Sequence, residues 1–192
     1  MIPNHTHEGV LPPFIPGSSP SDLGAVAPYR TDLASFAERF AGTEERKAIL
    51  RGLVAYRAAL RAVGIASGFQ WLDGSFVEDC EAIRERAPND IDLITFSFRP
   101  KAYADTTVWR ELVHSRPDLF DPEATKDIYK CDAYFVDLGA HPIHVVAQTT
   151  YWFGLFSHQR DTYLWKGMIE VPFTENDNDV ESLLMQEVCN AS

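Results

Sequence analysis

The chain has 192 residues, 45% hydrophobic and 23% charged, the composition of one well-buried domain: enough for a single core and too little for two ordinary ones. Its net charge is −11 and no run of Lys and Arg occurs, which argues against binding duplex nucleic acid mainly through phosphates, since counterion release needs cationic side chains. An anionic substrate stays accessible if a divalent cation mediates the contact.

Residues 1–30 hold six of the twelve prolines, Pro3, Pro12, Pro13, Pro16, Pro20 and Pro28. Proline fixes φ and removes a donor, so this segment reads as an extended arm, with Leu11, Phe14 and Ile15 laying it on the body. His5 and His7 within it are read as surface-loop residues rather than metal ligands. Asp32 before LASFAERF predicts a short helix with Leu33, Phe36 and Phe40 on one face. Thr43 followed by Glu44 and Glu45 predicts the start of a longer helix, in which Ile49, Leu53, Tyr56, Leu60 and Val63 recur at helical spacing up to Gly64.

SGFQWL at 67–72 reads as a strand leading into Asp73-Gly74-Ser75. Residues 76–86 are helix-compatible and end at Pro88-Asn89, before a strand DIDLITFSF at 90–98. A helix is expected at about 105–115 and a loop at Pro117 to Pro122. CDAYFVDL at 131–138 and IHVVA at 143–147 read as two strands joined by a hairpin turn at Gly139 to Pro142. The acidic tail, 174–192, carries Val180, Leu183, Leu184 and Val188 in a helical pattern and is expected to dock as a last helix. The domain proper is therefore 31–173.

Cys80, Cys131 and Cys189 have no paired spacing and read as free thiols of a reducing compartment. The N-terminus lacks a basic start followed by a long apolar run, and no segment approaches about 18 consecutive apolar residues. A cytoplasmic protein without membrane contact is the expectation.

Chemistry concentrates at Asp90-Ile91-Asp92-Leu93. On an extended strand residues i and i+2 share a side, so both carboxylates face one way, ~6.6 to 7 Å apart along the strand. Asp132, at the start of another strand, joins them if the two strands are neighbours. Asp137, an odd number of positions away, then faces the opposite side and is expected to begin the turn at Gly139. Three converging carboxylates suit Mg²⁺, which takes oxygen ligands and keeps several waters, and two such ions can hold the attacking and leaving oxygens of an in-line displacement. Gly74 lets the backbone approach a phosphate, and Ser75 offers a hydroxyl at a helix mouth. The plainer reading of Ser75-x-x-Glu78 is a capping box with no ligand.

Together Leu72-Asp73-Gly74-Ser75, the Asp90-Ile91-Asp92-Leu93 pair and Asp132 resemble the nucleotidyltransferase superfamily of polymerase-beta-like fold, over about residues 44–147. The fourteen residues between Ser75 and Asp90 exceed the family's usual gap. The resemblance implies an α/β (α+β) domain, a short mixed sheet packed with helices behind the proline-rich arm. It implies that Asp90, Asp92 and Asp132 hold one or two Mg²⁺ and act in catalysis. Gly74 and Ser75 then hold the β and γ phosphates of a nucleoside triphosphate, and a nucleoside monophosphate, AMP from ATP, passes to a hydroxyl acceptor. The short chain is similar to minimal nucleotidyltransferases of bacteria and archaea, which implies a protein partner or acceptor in a toxin–antitoxin or defence setting. A non-catalytic binding module that neutralises a partner, and a transferase acting on an aminoglycoside-like small molecule, are the alternatives.

The stretch 151–171 combines Tyr151, Trp152, Phe153, Phe156, Tyr163 and Trp165 with His158, Arg160 and Lys166. These types stack on bases and meet phosphates, which makes Arg160 and Lys166 further nucleotide-binding candidates, although aromatic clusters are more often core. His141 and His144 read as structural. No nucleophile elbow and no Walker-type glycine loop occurs.

Overall fold

The computed structural model describes residues 2–19, 21–160, 162–173 and 177–189, the last five of these without their side chains. Within them, eight α-helices pack on a five-stranded mixed sheet of order β1-β5-β2-β3-β4. The strands are β1 (Tyr29–Arg30), β2 (Phe69–Asp73), β3 (Ile91–Ser97), β4 (Cys131–Asp137) and β5 (Ile169–Pro172). β2 runs antiparallel to β3 and β5, whereas β3 and β4 are parallel, as are β1 and β5.

The first two helices follow the sequence closely. In α1 (Leu33–Phe40) Asp32 caps the start by accepting from the Ser35 N–H, and Leu33, Phe36 and Phe40 are buried. In α2 (Glu44–Ala62) Thr43 accepts from the Arg46 N–H, and Ile49, Leu53, Tyr56 and Leu60 face the core. The expected helix over 76–86 is reduced to a 3₁₀ turn, Ser75–Val77, and a short α3 (Cys80–Arg84). A physical reason is at hand: the Arg46 guanidinium donates to the carbonyls of Phe76 (2.6 Å) and Glu78 (2.8 Å), acceptors that a continuous helix would use itself.

β3 and β4 are joined by α4 (Thr106–Ser115), α5 (Pro117–Phe120) and α6 (Pro122–Tyr129). The loop expected at Pro117 to Pro122 is thus mostly a helical turn, since each proline sits at a first helical position where its missing N–H costs nothing. Asp121 then caps α6. Gly52 of α2 lies so close to the Tyr129 carbonyl that any Cβ would collide with it, and this close approach seats α6 against α2.

The expected strand at 143–147 and its hairpin are corrected. These residues belong to α7 (Pro142–Phe156), started by Pro142 and by His141, whose ring accepts from the Ile143 N–H. The β-branched run favours a strand locally, but no sheet edge receives it, and the helix satisfies its backbone internally.

One face of the sheet carries the main core: Leu72, Ile91, Leu93, Ala133, Ile169 and Val171 pack beneath α1, α2, α4 and α5. Val180 and Leu184 of α8 (Asn178–Cys189) join it, so the expected last helix docks on the body. Residues 174–176 and 190–192 of that tail, and the Val188 and Cys189 side chains, lie outside the described residues. The opposite face, with Trp71, Ile94, Phe96 and Val136, is covered by Trp152 and Phe156 of α7. Ile143, Val146 and Tyr151 of that helix are more than half exposed, and α7 contains no Asp, Glu, Lys or Arg.

The arm lies on the body as expected, but Leu11 is its buried anchor together with Val10, while Phe14 and Ile15 are exposed. It is pinned by bonds from the Asp79 N–H to the Gly9 carbonyl and from the Tyr29 hydroxyl to the Pro12 carbonyl. His5 contacts the Val77 carbonyl at 2.9 Å. Cys80 and Cys131 are free and buried, and no helix is long and apolar enough to cross a membrane.

Candidate functional site

Strand register builds the site. Asp73 on β2 is the partner of Asp92 on β3, and Asp92 is the partner of Asp132 on β4. Three aspartates therefore stand in one row across adjacent strands, roughly 4.8 Å apart in the pairing direction. Asp90, two residues before Asp92, adds a fourth carboxylate on the same side. The row lies on the α7 face of the sheet, where Ile94 and Phe96 continue the alternation of β3 into the second core. Asp137 sits at the far end of β4, paired with Arg99 at 2.6 Å, and takes no part in the row.

The turn after β2 brings the backbone over this row. Gly74 has φ +80°, and a Cβ there would run into the Asp92 carboxylate, so the position excludes every side chain on two counts. Ser75 follows at the start of the 3₁₀ turn. The capping box read at Ser75 and Glu78 does not form: the first residue of the turn is capped by Gly74 without a side-chain bond. Glu78 instead turns inward, accepting from Arg84 (2.9 Å) and Gln159 (3.0 Å) and facing Lys166 (3.2 Å).

Together these groups line an open cleft of about 270 Å³. Asp90, Asp92, Asp132, Gly74, Ser75, Arg160 and Lys166, the residues singled out from sequence, all border it. So do Asp73, Glu78, Arg84, Arg86, Lys126, His158 and Gln159, which sequence reasoning did not assign. Asp73 stands beside the Gly-Ser pair, but its place in the row comes from the register of β2 against β3. For Lys126 and Gln159 no local signal existed. The aromatic stretch divides: Phe156 borders the cleft, Trp152 fills the second core, and Tyr151 and Tyr163 face solvent. His141 caps α7 and His144 lies on its first turn, both outside the cleft lining.

Two lysines answer the acids differently. Lys166 is buried, its ammonium 2.9 Å from Asp73. Burial opposes its charge, but the fields of Asp73 and Glu78 outweigh that and hold its pKa above the ordinary value. Lys126 of α6 pairs with Asp90 while half of its side chain stays exposed. Asp73 is pushed up to about 6, by burial first and against the pull of Lys166. Asp92 is pushed up to about 7, by burial and then by the fields of Asp73, Asp132 and Asp90. A carboxyl held that high needs a further cation to ionise fully at neutral pH.

No three His, Cys, Asp or Glu side chains among the described residues stand in a ready-made metal geometry. The donor set nevertheless fits a hard divalent cation: it is all oxygen, strongly negative, partly dehydrated, and already draws an ammonium onto Asp90. Asp90, Asp92 and Asp132 are the residues that would hold such an ion.

A family model described as a family of unknown function, DUF6932, matches residues 3–172, which include the arm and the whole cleft. No curated protein and no solved structure matches the chain.

Proposed function

The chain belongs to the DUF6932 family, and we propose that it is a divalent-metal-dependent nucleotidyltransferase with a nucleotidyltransferase-type fold. The observation that carries this reading is the row Asp73–Asp92–Asp132 with Asp90 beside it, set directly beneath a turn that only glycine can occupy at position 74. The cleft is open to solvent, and its lining of carboxylates and cations suits a polyphosphate bound through a metal rather than an apolar ligand.

In this reading Asp90 and Asp92 hold Mg²⁺, which supplies charge neutralisation at the triphosphate. The Gly74 and Ser75 backbone and the Ser75 hydroxyl hold the terminal phosphates, because glycine there lets the chain come within hydrogen-bonding reach. Arg160, exposed at the rim, is a phosphate contact. Lys166 acts as a counter-ion to Asp73 and Glu78 instead of reaching substrate, since both are already bound to it. Asp132 accepts the proton of the acceptor hydroxyl. That oxygen bonds to the α phosphorus, the bond to the bridging oxygen breaks, and pyrophosphate leaves, with AMP transferred when ATP is the donor.

A protein acceptor is favoured over a small polyol. The uncharged, exposed face of α7 runs up to the cleft, where Leu155 and Phe156 form part of the lining. Such a surface on a chain of net charge −11 is the kind that another protein covers.

Thermal melts with Mg²⁺ and each nucleoside triphosphate test the reading, on the natural chain and on Asp92→Asn, compared within each variant. Ligand at a hundred times its dissociation constant adds ~2.7 kcal/mol, and each kcal/mol moves the midpoint by ~2 to 4 °C in a chain of this size. The expected result is a Mg²⁺-dependent rise of that order with one triphosphate, lost in Asp92→Asn. No rise with any triphosphate overturns the catalytic reading in favour of a binding module.

A further inference from the structure

Lys126 stands apart from the other cations of the cleft. Its backbone is fixed: α6 is capped by Asp121 and seated on α2 by the close approach at Gly52. Its side chain is not: it is 50% exposed, and its ammonium reaches Asp90, whose side chain is only 14% exposed. Lys166, by contrast, is 4% exposed and shut between Asp73 and Glu78. Asp73 and Glu78 are thus met by an enclosed ammonium, with Arg84 also on Glu78, whereas Asp90 is met by an ammonium whose side chain is half open to solvent.

Asp90 is also one of the carboxylates that the proposed metal requires. An ammonium and a divalent cation cannot share it at contact distance without mutual repulsion. We propose that Lys126 is a displaceable counter-ion: it holds Asp90 until a metal–triphosphate arrives, yields the carboxylate to the metal, and turns to the polyphosphate. This rests on the reading of Asp90 and Asp92 as metal ligands. It makes metal and nucleotide cooperative, because metal alone has to expel Lys126 with no new partner for the ammonium, whereas the triphosphate supplies one.

The test is Mn²⁺ binding, followed by the loss of the free-ion paramagnetic resonance signal, with and without a non-hydrolysable triphosphate. It is made on the natural chain, Lys126→Gln, Lys126→Arg and Asp92→Asn, each checked for folding by circular dichroism. Lys126→Gln is expected to bind Mn²⁺ alone about five- to tenfold more tightly than the natural chain and to lose most of the enhancement by triphosphate. Lys126→Arg, which keeps the charge, should bind weakly and stay cooperative. If Mn²⁺ binds through Asp92 but Lys126→Gln binds no more tightly, the counter-ion proposal is overturned while the metal site stands. If neither the natural chain nor Lys126→Gln binds Mn²⁺ at all, the metal site and the proposal fall together.

Discussion

Asp92 holds the electrostatic tension of the cleft. Its carboxyl, at about 7 in the folded chain, is near 4 when unfolded. A group raised on folding contributes stability below its unfolded pKa and loses it as pH rises through the folded one. Between pH 4 and pH 7 this aspartate therefore subtracts stability from the metal-free protein. Asp92→Asn should be more stable than the natural chain at pH 8 by up to about 4 kcal/mol, with the difference fading toward pH 4. Urea unfolding across that pH range measures it, and a difference independent of pH would mean that Asp92 does not carry the strain. Residue identity was legible here because the motif is local: Gly74, Ser75, Asp90 and Asp92 lie within nineteen positions of one another. Glu78 was misread as a cap because its partners, Arg84, Gln159 and Lys166, reach it only through the folded chain.

Elements were legible where burial and local preference agree. In α2 the cap, the acidic first turn and the apolar spacing point the same way. In α7 they conflict: Ile143, Val145 and Val146 favour a strand, and the proline that starts the helix was read as the end of a turn. The helix is held to the sheet chiefly through its C-terminal half, by Trp152 against Tyr134 with ring centroids 4.4 Å apart, and by Phe156. Its first two turns are largely exposed. Amide hydrogen exchange should therefore be fastest there, with protection over 146–150 at least tenfold below that of the central turns of α2. Equal protection would mean that the apolar face of α7 is covered in solution. β5 escaped the sequence reading for another reason. It is four residues long, inside a stretch dominated by aromatic side chains, and only pairing with β1 and β2 makes it a strand.

At the scale of the whole molecule, one buried ion pair ties distant parts of the chain. Arg57 of α2, fully buried, donates twice to Asp177 at 2.8 Å, once to Gln70 on β2 at 2.6 Å and once to the Pro172 carbonyl of β5. Burial opposes the charge of Asp177, but the bonds from Arg57 and Arg61 prevail and keep its pKa below the usual range. Stability from a lowered carboxylate is present above its unfolded pKa and is lost as pH falls through the folded one. Asp177→Asn should cost about 3 to 5 kcal/mol at pH 7, because it strands a buried guanidinium, and should flatten the loss of stability below pH 4. Denaturation at pH 7 and pH 3 distinguishes this from a surface pair, for which both effects would be small. By itself the sequence determined the α/β class, the helices α1, α2, α4 and α8, three of the five strands and the acidic, glycine-bearing motif, since each rests on period, cap or spacing within a few turns of chain. Only the tertiary structure decided that Asp73 joins the row, that Lys126 and Lys166 answer it, and that α7 is a helix. Strand register and the meeting of side chains 35 to 120 positions apart are set by packing, which no local pattern encodes.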